Sequence, residues 1–129
     1  MYKEYIISIV IIIAIVILNI FTQNYTKDCV SYVDNELEEL RVSMMEDEKD
    51  QEEIQKKIDG IIKEWEERYQ KLAYFIEHDE LEKVETQLTA LKANIEIEEY
   101  QQGIPELDVC IFILNHIKDK FSLQIKNIF

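Results

Sequence analysis

Glycine and proline are almost missing from this 129-residue chain: Gly60, Gly103 and Pro105 are the only three. With so few breakers there are no Ser/Gly-rich linkers, no low-complexity tails and no alignable internal repeat, and a nearly all-helical chain is expected. Basic residues are also scarce, 14 against 27 acidic ones, for a net charge of −13. Such a surface repels phosphate backbones and excludes nucleic acid as a partner. Two cysteines and two histidines leave little for metal chemistry. No H-E-x-x-H, paired C-x-x-C, phosphate-binding loop or calcium loop occurs. Carboxylate-bridged di-metal bundles carry a Glu three residues before each His. Here Phe75 precedes His78 and Ile113 precedes His116. No metal or cofactor is therefore expected.

What the chain does have is one long apolar run, Tyr5 to Phe21, without a charged side chain. As a helix, these residues rise about 25 Å, close to the ~30 Å hydrocarbon core of a bilayer. Thirteen of them are Ile, Val, Leu or Phe, together favouring insertion by roughly 4 to 8 kcal/mol. The run is rich in β-branched residues, yet a lone strand in lipid leaves its peptide groups unpaired, so helix is expected. Tyr2 and Tyr5 at one end and Tyr25 at the other match interfacial aromatic anchors. We read Tyr5, Ile13 and Phe21 as the start, centre and end of a transmembrane helix. Residues 1–4 then form a short cytoplasmic stub, 5–25 the span, and 26–129 an acidic domain outside. A cleaved signal peptide would need a small-residue site, but Thr22 to Asp28 offers none, and Thr26-Lys27-Asp28 before Cys29 is no lipidation site. Lys3 and Lys27 flank the run, so orientation rests on the stub behaving as a signal anchor.

The remainder reads as an antiparallel bundle of about four helices. Val30, Val33, Leu37, Leu40 and Met44 recur at three and four, and nothing between Phe21 and Val30 stops the membrane helix from continuing into them. Glu46 to Asp50 reads as a turn. A second stripe runs through Ile54, Ile58, Ile61, Ile62, Trp65, Tyr69, Leu72 and Ile76, placing a helix over about 51–77. Gly60 within it is a candidate for close helix approach. Asp79 and Glu82 have capping-box spacing for a third helix carrying Leu81, Val84, Leu88, Leu91 and Ile95 in a coiled-coil-like seam. Gln101-Gln102-Gly103 should end it, and Pro105 should lie in the first turn of a fourth helix. That helix carries Leu107, Cys110, Ile111, Leu114, Ile117 and Phe121, with Lys118 and Lys120 in its last turn. The apolar tail through Phe129 is expected to pack back on the bundle. On this path Cys29 and Cys110 lie at opposite ends, too far apart for a disulfide. Both thiols are therefore expected to be unpaired within one chain; Cys110 reads as a small core residue, and Cys29 as a candidate cross-link between two chains of a homo-oligomer.

Catalytic readings find little support. Glu38-Glu39 and Glu66-Glu67 diverge by about 100° around their helices and cannot converge on one atom. Nothing in the sequence brings Cys29 to His78 as nucleophile and base. A non-enzymatic role is expected. Trp65, Tyr69, Tyr74 and Phe75 form an aromatic girdle that is either core or a partner-binding surface.

The Ile-rich span, the Trp65 helix, the junction Ile76-Glu77-His78-Asp79-Glu80 and the terminal Asn127-Ile128-Phe129 resemble a bacterial family of unknown function, domain of unknown function 4363. The resemblance covers nearly the whole chain. It implies a small single-span membrane protein of Gram-positive, often spore-forming bacteria, and lends no catalytic residues.

These readings point to a membrane-anchored interaction module. Its partners are membrane lipid and a membrane or envelope protein, with Trp65, Tyr69, Tyr74, Phe75 and the Asn127-Ile128-Phe129 tail as contact residues. A ligand-sensing bundle that signals through a partner, and a coiled-coil tether, are the alternatives.

Overall fold

The computed structural model describes residues 1–128, with side chains through Lys120. Four helices follow one another: α1 (Tyr2–Met45), α2 (Gln51–Leu72), α3 (His78–Glu96) and α4 (Tyr100–Ile128). No strand occurs among the described residues. α1 is one uninterrupted rod of 44 residues. No Gly or Pro falls within it, so the apolar run passes into the first bundle helix without a hinge. Each helix then packs on two neighbours, α1 and α3 each lying between α2 and α4. Short turns enforce the up-down-up-down order of a four-helix bundle.

The three-and-four stripes are the core. Val30, Val33, Leu37, Leu40 and Met44 of α1 meet Ile54, Ile58, Ile61, Trp65 and Leu72 of α2. Leu81, Val84, Leu88, Leu91 and Ile95 of α3, with Leu107, Cys110, Leu114 and Ile117 of α4, close the other side. All are at most 3% exposed. Ile62, Tyr69, Ile76 and Ile111 pack against this core from its edge.

The helix ends differ from expectation at three places. α2 stops at Leu72, short of residue 77. Tyr74 N–H bonds to Lys71 O and Phe75 N–H to Leu72 O, tightening the last turn. α3 starts at His78 with Glu77 as its cap residue, so the Asp79/Glu82 capping box does not form. Asp79 instead lies in the first turn, where its charge suits the helix dipole, and Glu82 reaches back to His78. α3 ends at Glu96, well before Gly103. There Glu98 N–H bonds to Ile95 O and Glu99 N–H to Asn94 O, the paired bonds of a Schellman motif. Its left-handed position is occupied by Glu98, at φ 58°, where glycine is the usual residue.

α4 consequently begins at Tyr100 and takes in both Gly103 and Pro105. Pro105 is the sixth residue of the helix, not part of its first turn, and Lys118 and Lys120 lie in its middle. Gly103 serves packing. A Cβ there would sit 2.9 Å from Met44 Cε and 3.4 Å from Leu91 Cδ1. At Gly60, which was expected to play that part, a Cβ would meet nothing within 4 Å. The expected return of the tail onto the bundle concerns side chains from Phe121 onward, outside those described.

Candidate interaction surfaces

The apolar run of α1 is not buried by the bundle. Tyr5 is 71% exposed, Ile13 52% and Phe21 66%. It is the one described helix long and apolar enough to cross a membrane. Its hydroxyls are satisfied within the helix: Ser8 Oγ donates to Glu4 O at 2.9 Å and Thr22 Oγ1 to Asn19 O at 3.0 Å. That back-bonding removes the main polar cost of placing such a helix in lipid.

The aromatic girdle is divided among three environments. Trp65 is 1% exposed and belongs to the core, so it is not a contact residue for a partner. Its stripe position puts it there, and its indole Nε1 has no hydrogen-bond partner. Tyr69 is half-buried, edge-on to Trp65 at 6.4 Å. Its hydroxyl shares a 2.8 Å hydrogen bond with His78 Nδ1, and His78 Nε2 lies 2.8 Å from Glu82 Oε1. Burial and the neighbouring Glu82 and Glu85 raise the Tyr69 phenol above its ordinary range. Phe75 is half-buried and packs edge-on against Tyr25 of α1 at 6.1 Å. Tyr74 alone of the four is open, at 88% exposure. The girdle is divided because α2 ends at Leu72: Tyr74 and Phe75 follow turn geometry, not helical spacing. Of the other expected contact residues, the side chains of Asn127 and Ile128 and the whole of Phe129 lie outside the described part.

Neither cysteine is available for cross-linking or nucleophilic attack. Both are free and buried. Arg68 Nη1 donates to Cys29 Sγ at 3.3 Å while its guanidinium covers the Tyr32 ring at 4.6 Å. Cys110 sits ten residues into α4, not at its start. Burial, with Asp34 nearby, pushes its thiol up to about 12, leaving it inert at neutral pH. Asp34 Oδ1 is buried without a hydrogen-bond partner. Desolvation, with Glu38 adding to it and Lys118 opposing, raises its carboxyl above the ordinary value. Among the described residues, no three His, Cys, Asp or Glu side chains gather as a metal site.

A surface that the sequence did not single out lies at the end of the bundle far from the apolar run. The 46–50 and 97–99 turns meet there: Gln51 Nε2 donates to Ile95 O at 2.8 Å, Tyr100 bonds to Gln51, and Lys49 lies over the Tyr100 ring. Met45 and Ile97 are 56% and 66% exposed. Around them stand Glu46, Asp47, Glu48, Asp50, Glu96, Glu98 and Glu99, with Lys49 the only base in either turn. A cleft of about 490 Å³ opens between Met44, Lys49, Glu98, Tyr100 and Ile104. Composition announces the acid in these turns, but only the antiparallel pairing brings the two turns together.

Among known proteins, neither the curated proteins nor the solved structures contain a match. A family model matches residues 20–128, from the end of the apolar run through α4. The chain therefore belongs to the family described as Domain of unknown function (DUF4363).

Proposed function

We propose that this protein is a non-catalytic, membrane-anchored interaction module. The apolar half of α1 fixes it in a bilayer, and the acidic bundle holds its far tip out to a basic membrane or envelope protein. The observation that carries this reading is the continuity of α1. One 44-residue helix joins an unburied apolar half to a half that forms one side of a packed core. A hinge-free connection fixes where the tip stands. From Thr26 to Met45 the helix rises about 30 Å, which sets the reach of the tip beyond the anchor.

The tip suits a cationic partner. Exposed Met45 and Ile97 give apolar contact, and the surrounding carboxylates give steering and a polar rim. The same charge keeps the tip away from anionic headgroups. In this reading the four-residue stub stays inside and residues 26–129 lie outside the cytoplasmic membrane.

The test is recovery of the intact protein from membranes after cross-linking, comparing the natural chain with a variant carrying Glu46→Lys, Glu98→Lys and Glu99→Lys. A defined protein recovered with the natural chain and lost with the variant, more weakly held at high salt, is expected. Equal recovery with both, or none with either, would overturn the reading.

A further inference from the structure

The bundle has two very different ends. The tip turns concentrate acid, as described above. At the other end lie residues 26–28, 68–82 and 116–120. They carry five basic side chains (Lys27, Arg68, Lys71, Lys118 and Lys120) and six acidic ones (Asp28, Glu77, Asp79, Glu80, Glu82 and Asp119). That end is within one charge of neutral, so nearly all of the net charge of the domain lies elsewhere. Lys120 stands 3.7 Å from Glu77 and 3.6 Å from Glu80, tying α4 to the α2–α3 turn with the charges compensated.

This nearly neutral end also lies level with the end of the apolar run. Tyr25 is four residues, about 6 Å of helix, beyond Phe21. Phe75 packs on Tyr25, which holds the 73–77 turn at that height. Tyr74, next in the chain, projects from the turn at 88% exposure with no aromatic partner among the described residues. α4 arrives at the same level. Arg41 Nε pairs with Asp108 Oδ1 at 2.9 Å, which fixes the register of these antiparallel helices. The twenty residues from Asp108 to Ile128 rise about as far as those from Arg41 back to Phe21. The α4 backbone thus ends beside the end of the apolar run.

We propose that this end of the bundle rests in the headgroup layer of the bilayer, with Tyr74 as a second interfacial anchor beside Tyr25. The proposal rests on α1 being the membrane anchor. A headgroup layer is about 5–7 Å deep on each side, so an end tied to Tyr25 has no room to stand clear of it. Tyrosine is a residue favoured at that depth, with its ring among the first methylenes and its hydroxyl in water. A nearly neutral end meets little repulsion from anionic lipid, whereas the acidic tip meets much more. Two contacts, the α1 helix and the α2–α3 turn, would then fix the tilt of the bundle over the membrane, where one helix alone leaves it free to rotate.

The experiment places the full-length chain in phosphatidylcholine vesicles with or without acyl chains brominated near the headgroup, which quench tryptophan on contact. Four proteins are compared: the natural chain, whose one tryptophan is buried Trp65, and the variants Ile13→Trp, Tyr74→Trp and Ile97→Trp. Moving the bromines deeper in the chain serves Ile13→Trp, which sits at the bilayer centre. Tyr74→Trp is expected to lose about half or more of its added emission to the shallow quencher. Ile97→Trp and the natural chain should lose almost none. If Ile13→Trp is quenched and Tyr74→Trp behaves like Ile97→Trp, the docked end is wrong and the anchor stands. If Ile13→Trp escapes both quenchers, the anchor fails and the docked end fails with it.

Discussion

The two halves of α1 use the same kinds of residue to opposite ends. Ile13 and Leu37 lie on one continuous helix, yet Ile13 is 52% exposed and Leu37 is fully buried. The difference is pattern. Between Tyr5 and Phe21 apolar side chains cover every face, so no single neighbour could bury them. From Thr26 to Met44 the buried ones keep to one stripe, and polar residues occupy most of the rest, Tyr32 and Val42 excepted. A stripe calls for a protein partner and an all-round apolar surface calls for lipid. With the apolar half in a bilayer, as proposed, one helix would serve two solvents without changing its backbone.

That comparison can be broken from either side. Trp65→Ala empties the largest core position and should cost about 3–5 kcal/mol, a large share of a domain's usual stability. The variant should nevertheless stay with membranes. Thermal melting of the full chain in detergent, alongside flotation with vesicles, reads both properties. Ile13→Lys should do the reverse. A charge at the centre of a span costs roughly 2.5–3.5 kcal/mol of insertion, so flotation should fall while the melting of the bundle stays unchanged. If either variant moved both readouts equally, the two halves would be one cooperative unit.

Within the bundle, Asp34→Asn sharpens the account. The folded state raises the Asp34 carboxyl, so it disfavours the charged form. That cost is fully present above the folded value and is relieved as pH falls toward the ordinary carboxyl range. Asp34→Asn should therefore stabilise the protein at neutral pH. The advantage over the natural chain should shrink toward pH of about 4. Melting both proteins across that range checks the sign. Smaller still, Glu98→Gly should relieve the left-handed residue at the end of α3, and Gly60→Ala should gain helix propensity in open space. Each is worth about 0.5–1 kcal/mol, a rise of several degrees in the melting temperature.

The sequence made the core legible because the stripes at three and four are a direct record of which side of each helix is dry. Every α1 and α3 stripe residue from Val30 to Met44 and from Leu81 to Ile95 that the periodicity marks is buried. The helix ends were less legible. Glycine normally takes the left-handed turn position, and Gly103 looked like such a stop. Here Glu98 takes that conformation, and Gly103 is spent on a close approach to Met44 that only the packed bundle reveals. The candidate surfaces were harder again. The aromatic run from Trp65 to Phe75 crosses a helix end, so its members part company. Met45 and Ile97 are far apart in sequence, and only the antiparallel turns bring them to one tip.

The central claim is that residues 5–21 are held in lipid while the bundle stands outside the hydrocarbon core. Alkaline carbonate extraction of the full-length protein from membranes, with its N-terminal sequence read from the recovered chain, tests this most directly. The account predicts that the protein stays in the membrane pellet and still begins at Met1. Release into the supernatant, or a chain that starts beyond Phe21, would contradict it.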